Sequence, residues 1–115
     1  MTYEYRNFRG KDWLWPKSDY HCWKHLTEYF PDMPEQILFT IDGANTVVQA
    51  GGNCGLYTAQ YADMVDKVIT FEPEPTNYNC LKENLKEYSN VTIYPHALGN
   101  VEKLIGMRKR YTNIG

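Results

Sequence analysis

The sequence predicts an α/β protein in which helices flank a parallel sheet. From residue 46 onward, short apolar runs alternate with segments of helical periodicity. A glycine cluster at 51–55 follows the first apolar run, and Glu72 ends the second one. Strands that are separated by helices pair in parallel, because the helix returns the chain to the edge of the sheet where the first strand began. The glycines and the carboxylate are therefore expected at one common edge of the sheet.

Length and composition limit the chain to one small globular domain. It has 115 residues, of which 43% are hydrophobic and 23% are charged, as in folded and not in disordered chains. A formal net charge of −2 argues neither for nor against a polyanionic partner. No apolar run approaches the roughly 20 residues of a membrane helix, and the N-terminus lacks the apolar core of a signal peptide. We expect a cytoplasmic protein with a small-molecule partner, and neither nucleic acid nor a membrane as partner.

The cysteines and histidines do not predict a metal site or a disulfide framework. Cys22, Cys54 and Cys80 form no Cys-x-x-Cys pair, so reduced thiols are expected. His21 and His25 lie four residues apart, but no further ligand cluster accompanies them. A metal site needs three or four converging ligands, and no metal is therefore predicted.

The first 45 residues are predicted to be an aromatic arm and a helix. Residues 1–17 are rich in Tyr and Trp without a regular pattern, which favours an irregular arm. Ser18 or Asp19 can cap a helix that ends at about Phe30. Residues 35–41 fit either a short helix or an apolar strand, since so short a run has no decisive periodicity. The apolar residues at near-helical spacing that define the buried face of the first helix are Tyr20, Trp23, Leu26 and Phe30.

The core is expected to span residues 46–115 as a βαβαβ unit within the same single domain. Pro75 suits the first turn of a helix, where its missing N–H is not needed. Residues 104–111, which carry a basic group, can form one more strand. The predicted core elements are a strand at 46–50, a helix at 56–64, a strand at 68–72, a helix at 75–88 and a strand at 91–94.

The glycine spacing distinguishes between kinds of cofactor. A dinucleotide-binding turn reads Gly-x-Gly-x-x-Gly, and its second glycine lets the backbone approach a pyrophosphate. Here Asn53 stands at that position, between Gly52 and Gly55. The turn therefore favours a smaller cofactor with a ribose and no diphosphate. Glu72 at the tip of the second strand is placed to accept both ribose hydroxyls.

Three stretches together resemble FkbM-type S-adenosylmethionine-dependent methyltransferases. Residues 48–58, Val-Gln-Ala-Gly-Gly-Asn-Cys-Gly-Leu-Tyr-Thr, are similar to the first motif of that family. Residues 71–75, Phe-Glu-Pro-Glu-Pro, resemble its second motif, together with Tyr78, Leu81 and Asn84 that follow. A third segment is echoed at 90–100. The resemblance implies S-adenosylmethionine as cofactor and a Rossmann-like sheet that corresponds to the N-terminal half of a class I methyltransferase fold.

The resemblance also implies which residues bind the cofactor. The glycines would bend the loop under the methionyl part, Asn53 would hold the turn or the ligand, and Glu72 would bind the ribose. Phe71 and Pro73 would border the adenine, with His96 and Ala97 near the same ring. The cofactor-binding residues that the resemblance implies are Gln49, Gly51, Gly52, Asn53, Gly55, Phe71, Glu72, Pro73, His96 and Ala97.

Two departures from the family pattern affect the expected function. Gln49 stands where the family usually has Asp, and a neutral amide cannot balance the positive charge of the cofactor. Another carboxylate would have to do so, and Asp42 is a candidate. The chain also ends about where the acceptor-binding half should begin, and no residue is identified as a catalytic base. The expected reaction is methyl transfer to an oxygen of a sugar or other small molecule. The alternative is a noncatalytic cofactor-binding or assembly module that has lost the acceptor half.

The strand at 46–50 would have one unpaired edge if no further strand follows. Unpaired N–H and C=O groups on an apolar strand attract other chains. We expect this edge to be covered by the aromatic arm, by residues 104–111 or by another copy of the chain, which would make a homo-oligomer.

Overall fold

The computed structural model describes residues 2–100, which form a parallel sheet, a separate hairpin and four helices. Strands β1 and β2 form the hairpin, and β3, β4 and β5 form the sheet. Helix α1 continues directly into a π-helical turn at His25–Tyr29. In chain order, the elements are β1 (Tyr3–Phe8), β2 (Lys11–Pro16), α1 (His21–Lys24), α2 (Met33–Phe39), β3 (Thr46–Ala50), α3 (Leu56–Met64), β4 (Lys67–Phe71), α4 (Pro75–Asn84) and β5 (Val91–Tyr94).

The parallel α/β core agrees with the sequence prediction. The sheet has the order β3-β4-β5, with both pairs parallel. The predicted bounds of β3, α3 and β5 are confirmed, and β4 begins and ends one residue earlier than expected. Helix α4 ends at Asn84 instead of residue 88. The carboxyl ends of all three strands meet at one edge, which brings the glycine loop beside the end of β4.

The aromatic arm was wrongly predicted to be irregular. Strands β1 and β2 pair in antiparallel register from Tyr3↔Pro16 to Phe8↔Lys11. The two-residue turn consists of Arg9 and Gly10, both with positive φ (53° and 84°), which suits a tight hairpin turn. An arginine is an unusual residue at the first of these positions, so the turn carried no recognisable sequence signal.

The hairpin is part of the main core. Trp15 is completely buried and lies in one hydrophobic cluster with Cys54 of the glycine loop and with Leu81 and Leu85 of α4. The short strands present alternate residues to this cluster, and the opposite side of the hairpin faces solvent. Burial of its tryptophans, and not pairing with the parallel sheet, fixes the hairpin to the domain.

The segment between the hairpin and the sheet is helical throughout. Residues 35–41, for which strand and helix were both open, belong mainly to α2, with Pro34 in its first turn. The predicted buried face of the preceding helix is only partly correct. Leu26 is buried and Trp23 is half-buried, whereas Tyr20 and Phe30 are exposed.

Helices α3 and α4 cover only one face of the three-stranded sheet. On that face, Val68 and Thr70 are buried. On the other face, Val48 is 57% and Tyr94 is 42% exposed. Parallel sheets are usually covered on both faces, so an apolar surface remains open within residues 2–100.

The outer edge of β3 is likewise unpaired within the described chain. The proposal that the aromatic arm covers it is wrong, because β1 and β2 pair only with each other. The second suggested cover, residues 104–111, lies outside the described residues. Pairing with another copy stays a prediction. No helix within residues 2–100 is long and apolar enough to cross a membrane.

Candidate functional site

The glycine loop between β3 and α3 has a backbone that most residues cannot adopt. Gly51 and Gly55 have φ values of +81° and +95°, and Asn53 has a φ of 54°. Asn is among the few non-glycine residues that tolerate this region. A Cβ on Gly55 would lie 3.0 Å from Leu81 Cδ1, so this glycine also permits close packing of the loop on α4. A Cβ on Gly51 would meet nothing within 4 Å, which means that the outer side of the loop is open.

The loop uses its own amides to hold its shape. The N–H groups of Gly51 and Gly52 both donate to Phe71 O, at 2.8 and 2.9 Å. The N–H of Gly55 donates to Gly52 O at 3.0 Å. The amide of Cys54 donates to Asn53 Oδ1 at 2.7 Å, which explains the residue type at 53. With the Asn53 amide, discussed next, all N–H groups of residues 51–55 donate within the protein. They are not free to bind a pyrophosphate, which argues against a dinucleotide independently of the glycine spacing.

Glu72 ties the glycine loop to the end of β4. Its carboxylate is 5% exposed and accepts the Asn53 N–H on Oε1 at 2.7 Å and the Glu74 N–H on Oε2 at 3.0 Å. Burial raises the pKa of the Glu72 carboxyl, and the charge of Glu74 adds to this effect, whereas the two N–H donors oppose it. Each carboxylate oxygen can accept two hydrogen bonds, so each keeps capacity for one hydroxyl group.

Gln49 lies beneath the loop and joins three elements. Its Oε1 accepts the hydroxyl of Thr58 on α3 at 2.6 Å and the hydroxyl of Thr70 on β4 at 2.9 Å. Thr70 also lies against the loop, since a Cβ on Gly52 would be 2.4 Å from its Oγ1. The side-chain oxygen at position 49 therefore holds the loop's foundation through two hydroxyl donors, a task that does not require a charge.

The residues expected near an adenine lie at the ends of β4 and β5. The rings of Phe71 and Tyr94 stack with centroids 5.3 Å apart and planes inclined by 22°. Tyr94 was not singled out from the sequence, although strand pairing with Phe71 places it there. Its carbonyl accepts the Glu72 N–H at 3.0 Å, so the chain enters His96 and Ala97 from beside Glu72. Both of these side chains are exposed, and Pro73 is half-buried.

Asn84 connects the hairpin to the glycine loop. Its Oδ1 accepts the Leu14 N–H at 2.7 Å, and its Nδ2 donates to Leu14 O at 2.9 Å and to Cys54 O at 2.8 Å. The side chain is 7% exposed. Asn84 was noted only as the last residue of the second motif, and its buried amide satisfies backbone groups of two separate segments.

The segment after the hairpin also reaches the site, which the sequence did not indicate. Asp19 is 3% exposed; its Oδ2 accepts Trp15 Nε1–H at 2.7 Å and its Oδ1 accepts the Cys22 N–H at 3.0 Å. The Cys22 thiol interacts with the Asn53 side chain and with the charges of Asp19 and Glu72. Burial, with these two negative charges, raises the pKa of Cys22 to about 12. The thiol is therefore protonated at neutral pH and is not a nucleophile.

Asp42, proposed as the compensating carboxylate, is in the wrong place. It lies in the turn before β3, at the amino ends of the parallel strands. The glycine loop and Glu72 lie at the carboxyl ends. Within residues 2–100, no group of three or more His, Cys, Asp or Glu side chains is arranged to hold a metal ion.

The structure resembles solved methyltransferases. Trm5b from Pyrococcus abyssi superposes with a TM-score of 0.62 and 16% identity over 82% of this chain and 28% of its own. TYW2 from M. jannaschii in complex with AdoMet gives 0.59 and 20% over 81% of this chain and 42% of its own. TrmI, a tRNA (m1A58) methyltransferase from Aquifex aeolicus, gives 0.54 and 23% over 64% and 32%. The chain has the class I methyltransferase fold.

Sequence comparisons do not refine this assignment. No protein-family model and no curated protein matches the chain. The FkbM resemblance is therefore not established, while the broader class I fold is. The chain spans between 28% and 42% of the length of the three solved structures compared above.

The comparisons overturn one expectation. We expected no nucleic-acid partner, and this was wrong as an inference from the fold relatives, which are tRNA methyltransferases. One of them, aTrm5, was solved in complex with tRNALeu. A formal charge of −2 on the whole chain carried no information on this point, because net charge does not describe a local binding surface.

Proposed function

We propose that this chain is the S-adenosylmethionine-binding part of a class I methyltransferase. One observation carries the proposal: Glu72 lies at the carboxyl end of β4, held by one backbone N–H on each oxygen. Each oxygen thus keeps capacity for one further donor, which matches the two hydroxyls of a ribose. The neighbouring loop binds its own N–H groups and suits a cofactor without a diphosphate.

The other site residues fit the same cofactor. The open side of Gly51 leaves room for the methionyl part beside the loop. Phe71 and Tyr94 offer an aromatic pair at the strand ends, near the segment with His96 and Ala97. The cofactor, when bound, supplies an electrophilic methyl group on a sulfonium. The residues of this chain would bind and orient it, with Gln49 and Gly52 supporting the loop from below.

The nature of the methyl acceptor is a separate part of the proposal. Relatives with this fold are named as tRNA methyltransferases, so a tRNA is the first acceptor to test. The expected oxygen of a sugar or other small molecule has no support among these relatives. A noncatalytic cofactor-binding module stays the alternative, since no general base is identified among the site residues.

Calorimetric titration tests cofactor binding. The full chain should bind S-adenosylmethionine and S-adenosylhomocysteine but not NAD. Glu72→Ala and the near-isosteric Glu72→Gln should both abolish adenosyl binding, because neither offers a carboxylate to the ribose. Glu87→Ala is the matched control, since Glu87 is an exposed carboxylate after α4. Binding of NAD alone, or unchanged affinity in Glu72→Gln, would refute the proposal.

Methyl transfer is then measured with radiolabelled cofactor. Unmodified tRNA transcripts and a panel of sugars and small hydroxyl compounds serve as acceptors. Label in tRNA supports a tRNA acceptor, and label in a small molecule restores the original expectation. Cofactor binding without transfer to any acceptor favours the noncatalytic module.

A further inference from the structure

The core of the site lacks a negative charge for the cationic end of the proposed cofactor. S-adenosylmethionine carries a sulfonium and an ammonium group. Gln49 is neutral, and its side-chain oxygen already accepts the hydroxyls of Thr58 and Thr70. Asp42 lies at the opposite end of the sheet. Glu72 is assigned to the ribose.

Asp19 is a buried carboxylate without a cationic partner. It is 3% exposed, and within residues 2–100 no Lys, Arg or His nitrogen lies within the 4.0 Å of an ion pair to its carboxylate. Arg6 approaches this region, but its guanidinium donates to the backbone carbonyl of Asp19 and to the Glu4 carboxylate. Burial of a carboxylate without a cation is unfavourable, so the position suits a cationic ligand.

A short chain of contacts links Asp19 to the glycine loop. Its Oδ1 holds the N–H of Cys22, and the side chain of Cys22 packs against the core cluster that contains Cys54. The thiol interacts with Asn53 and lies within electrostatic reach of both Asp19 and Glu72. Trp15 Nε1–H fixes the second oxygen, so the carboxylate has one orientation. The hairpin and α1 thereby carry a fixed negative charge to the side of the loop.

We propose that Asp19 is a positioning residue that selects the cationic cofactor, supplying from the N-terminal segment the charge that Gln49 lacks. This inference rests on the proposed cofactor site. Asp19 acts through space and keeps its bonds to Trp15 and Cys22. It would favour S-adenosylmethionine over uncharged adenosyl compounds and would make the N-terminal segment part of the specificity of the site.

Three ligands separate this role from a structural one. S-adenosylmethionine carries both cations, S-adenosylhomocysteine carries only the ammonium, and methylthioadenosine carries neither. In Asp19→Asn, affinity for S-adenosylmethionine should fall by about tenfold relative to that for methylthioadenosine, as expected for one charge at partial burial. If S-adenosylhomocysteine weakens equally, Asp19 faces the ammonium. If it does not weaken, Asp19 faces the sulfonium.

The controls keep the test decisive. Asp12→Asn removes an exposed hairpin carboxylate and should leave all three affinities unchanged. Asp19→Glu retains the charge and should retain the preference for the cationic ligand. Asp19→Ser keeps an acceptor for the Cys22 N–H without a charge and serves as a second neutral variant if Asp19→Asn does not fold.

Two failures are distinguishable. If the wild-type chain binds none of the three compounds, the proposed function fails, and this inference fails with it. If the wild type binds all three and the neutral variants weaken them equally, or not at all, the cofactor site stands and only the role of Asp19 is overturned.

Discussion

Asn84 gives the sharpest test of how the hairpin is attached to the glycine loop. Asn84→Ala removes three hydrogen bonds, two with Leu14 and one with Cys54, and it leaves their backbone groups buried. At about 1 kcal/mol for each bond, the free energy of unfolding should fall by about 3 kcal/mol. A small domain has only about 5–15 kcal/mol in total. The melting temperature should fall by about 12 °C, at roughly 4 °C per kcal/mol for a domain of this size.

Urea unfolding, followed by circular dichroism and tryptophan fluorescence, measures this effect. Trp13 and Trp15 are buried on the hairpin, so their fluorescence reports its release from the core. Asn79→Ala is the matched control, because Asn79 is exposed on the same helix and bonds only the Tyr3 hydroxyl, at 3.2 Å. It should cost less than about 0.5 kcal/mol. A loss below 0.5 kcal/mol for Asn84→Ala would refute the conclusion that this side chain holds the two segments together.

Three further predictions follow from the site and the sheet. Gly52→Ala should destabilise the fold by about 1–3 kcal/mol through overpacking, because its Cβ would lie 2.4 Å from Thr70 Oγ1; the cost should shrink in a Thr70→Ala background, and an additive double-mutant cycle would contradict this contact. Because burial raises the pKa of Glu72 in the folded state, acidification from neutral pH through that pKa should increase its contribution to folding stability while weakening adenosyl binding, which needs the carboxylate. Glu72→Gln should remove the stability effect in denaturation curves recorded across this range, and parallel trends of stability and affinity in the wild type would argue against it. If another copy covers the apolar face of the sheet, sedimentation equilibrium should give a dimer that Val48→Lys dissociates, since Val48 is 57% exposed on that face; a wild-type monomer would exclude this association.

The elements from residue 46 onward were predictable because local pattern and tertiary environment agree there. The apolar run before Gly51 and the run before Glu72 are buried strands, and Pro75 begins a helix as its missing N–H allows. The glycine positions required a tight loop regardless of what surrounds it. Helix α4 ended early because Leu85 leaves helical geometry while its side chain stays buried, a tertiary effect that periodicity does not contain.

The hairpin could not be predicted by the same reasoning. Its turn uses Arg9 at a positive φ, a conformation for which arginine gives no signal. Its strands are held to the domain by tryptophans that pack on α4 and on the glycine loop. These partners lie some 40 to 70 residues further along the chain. Contacts of that range are absent from any local window of sequence.

The sequence by itself determined the parallel core, the self-contained glycine loop and the carboxylate at the end of β4, because each depends on residue type at short spacing. Only the tertiary structure decided the surroundings of that loop. It placed Gln49 under two threonine hydroxyls, made Asn84 a link between distant backbones and removed Asp42 from the site. It also brought the buried carboxylate of Asp19 to the loop through a hairpin. Such groups meet only when long-range packing buries them together, and their charge and hydrogen-bond roles exist only after that burial.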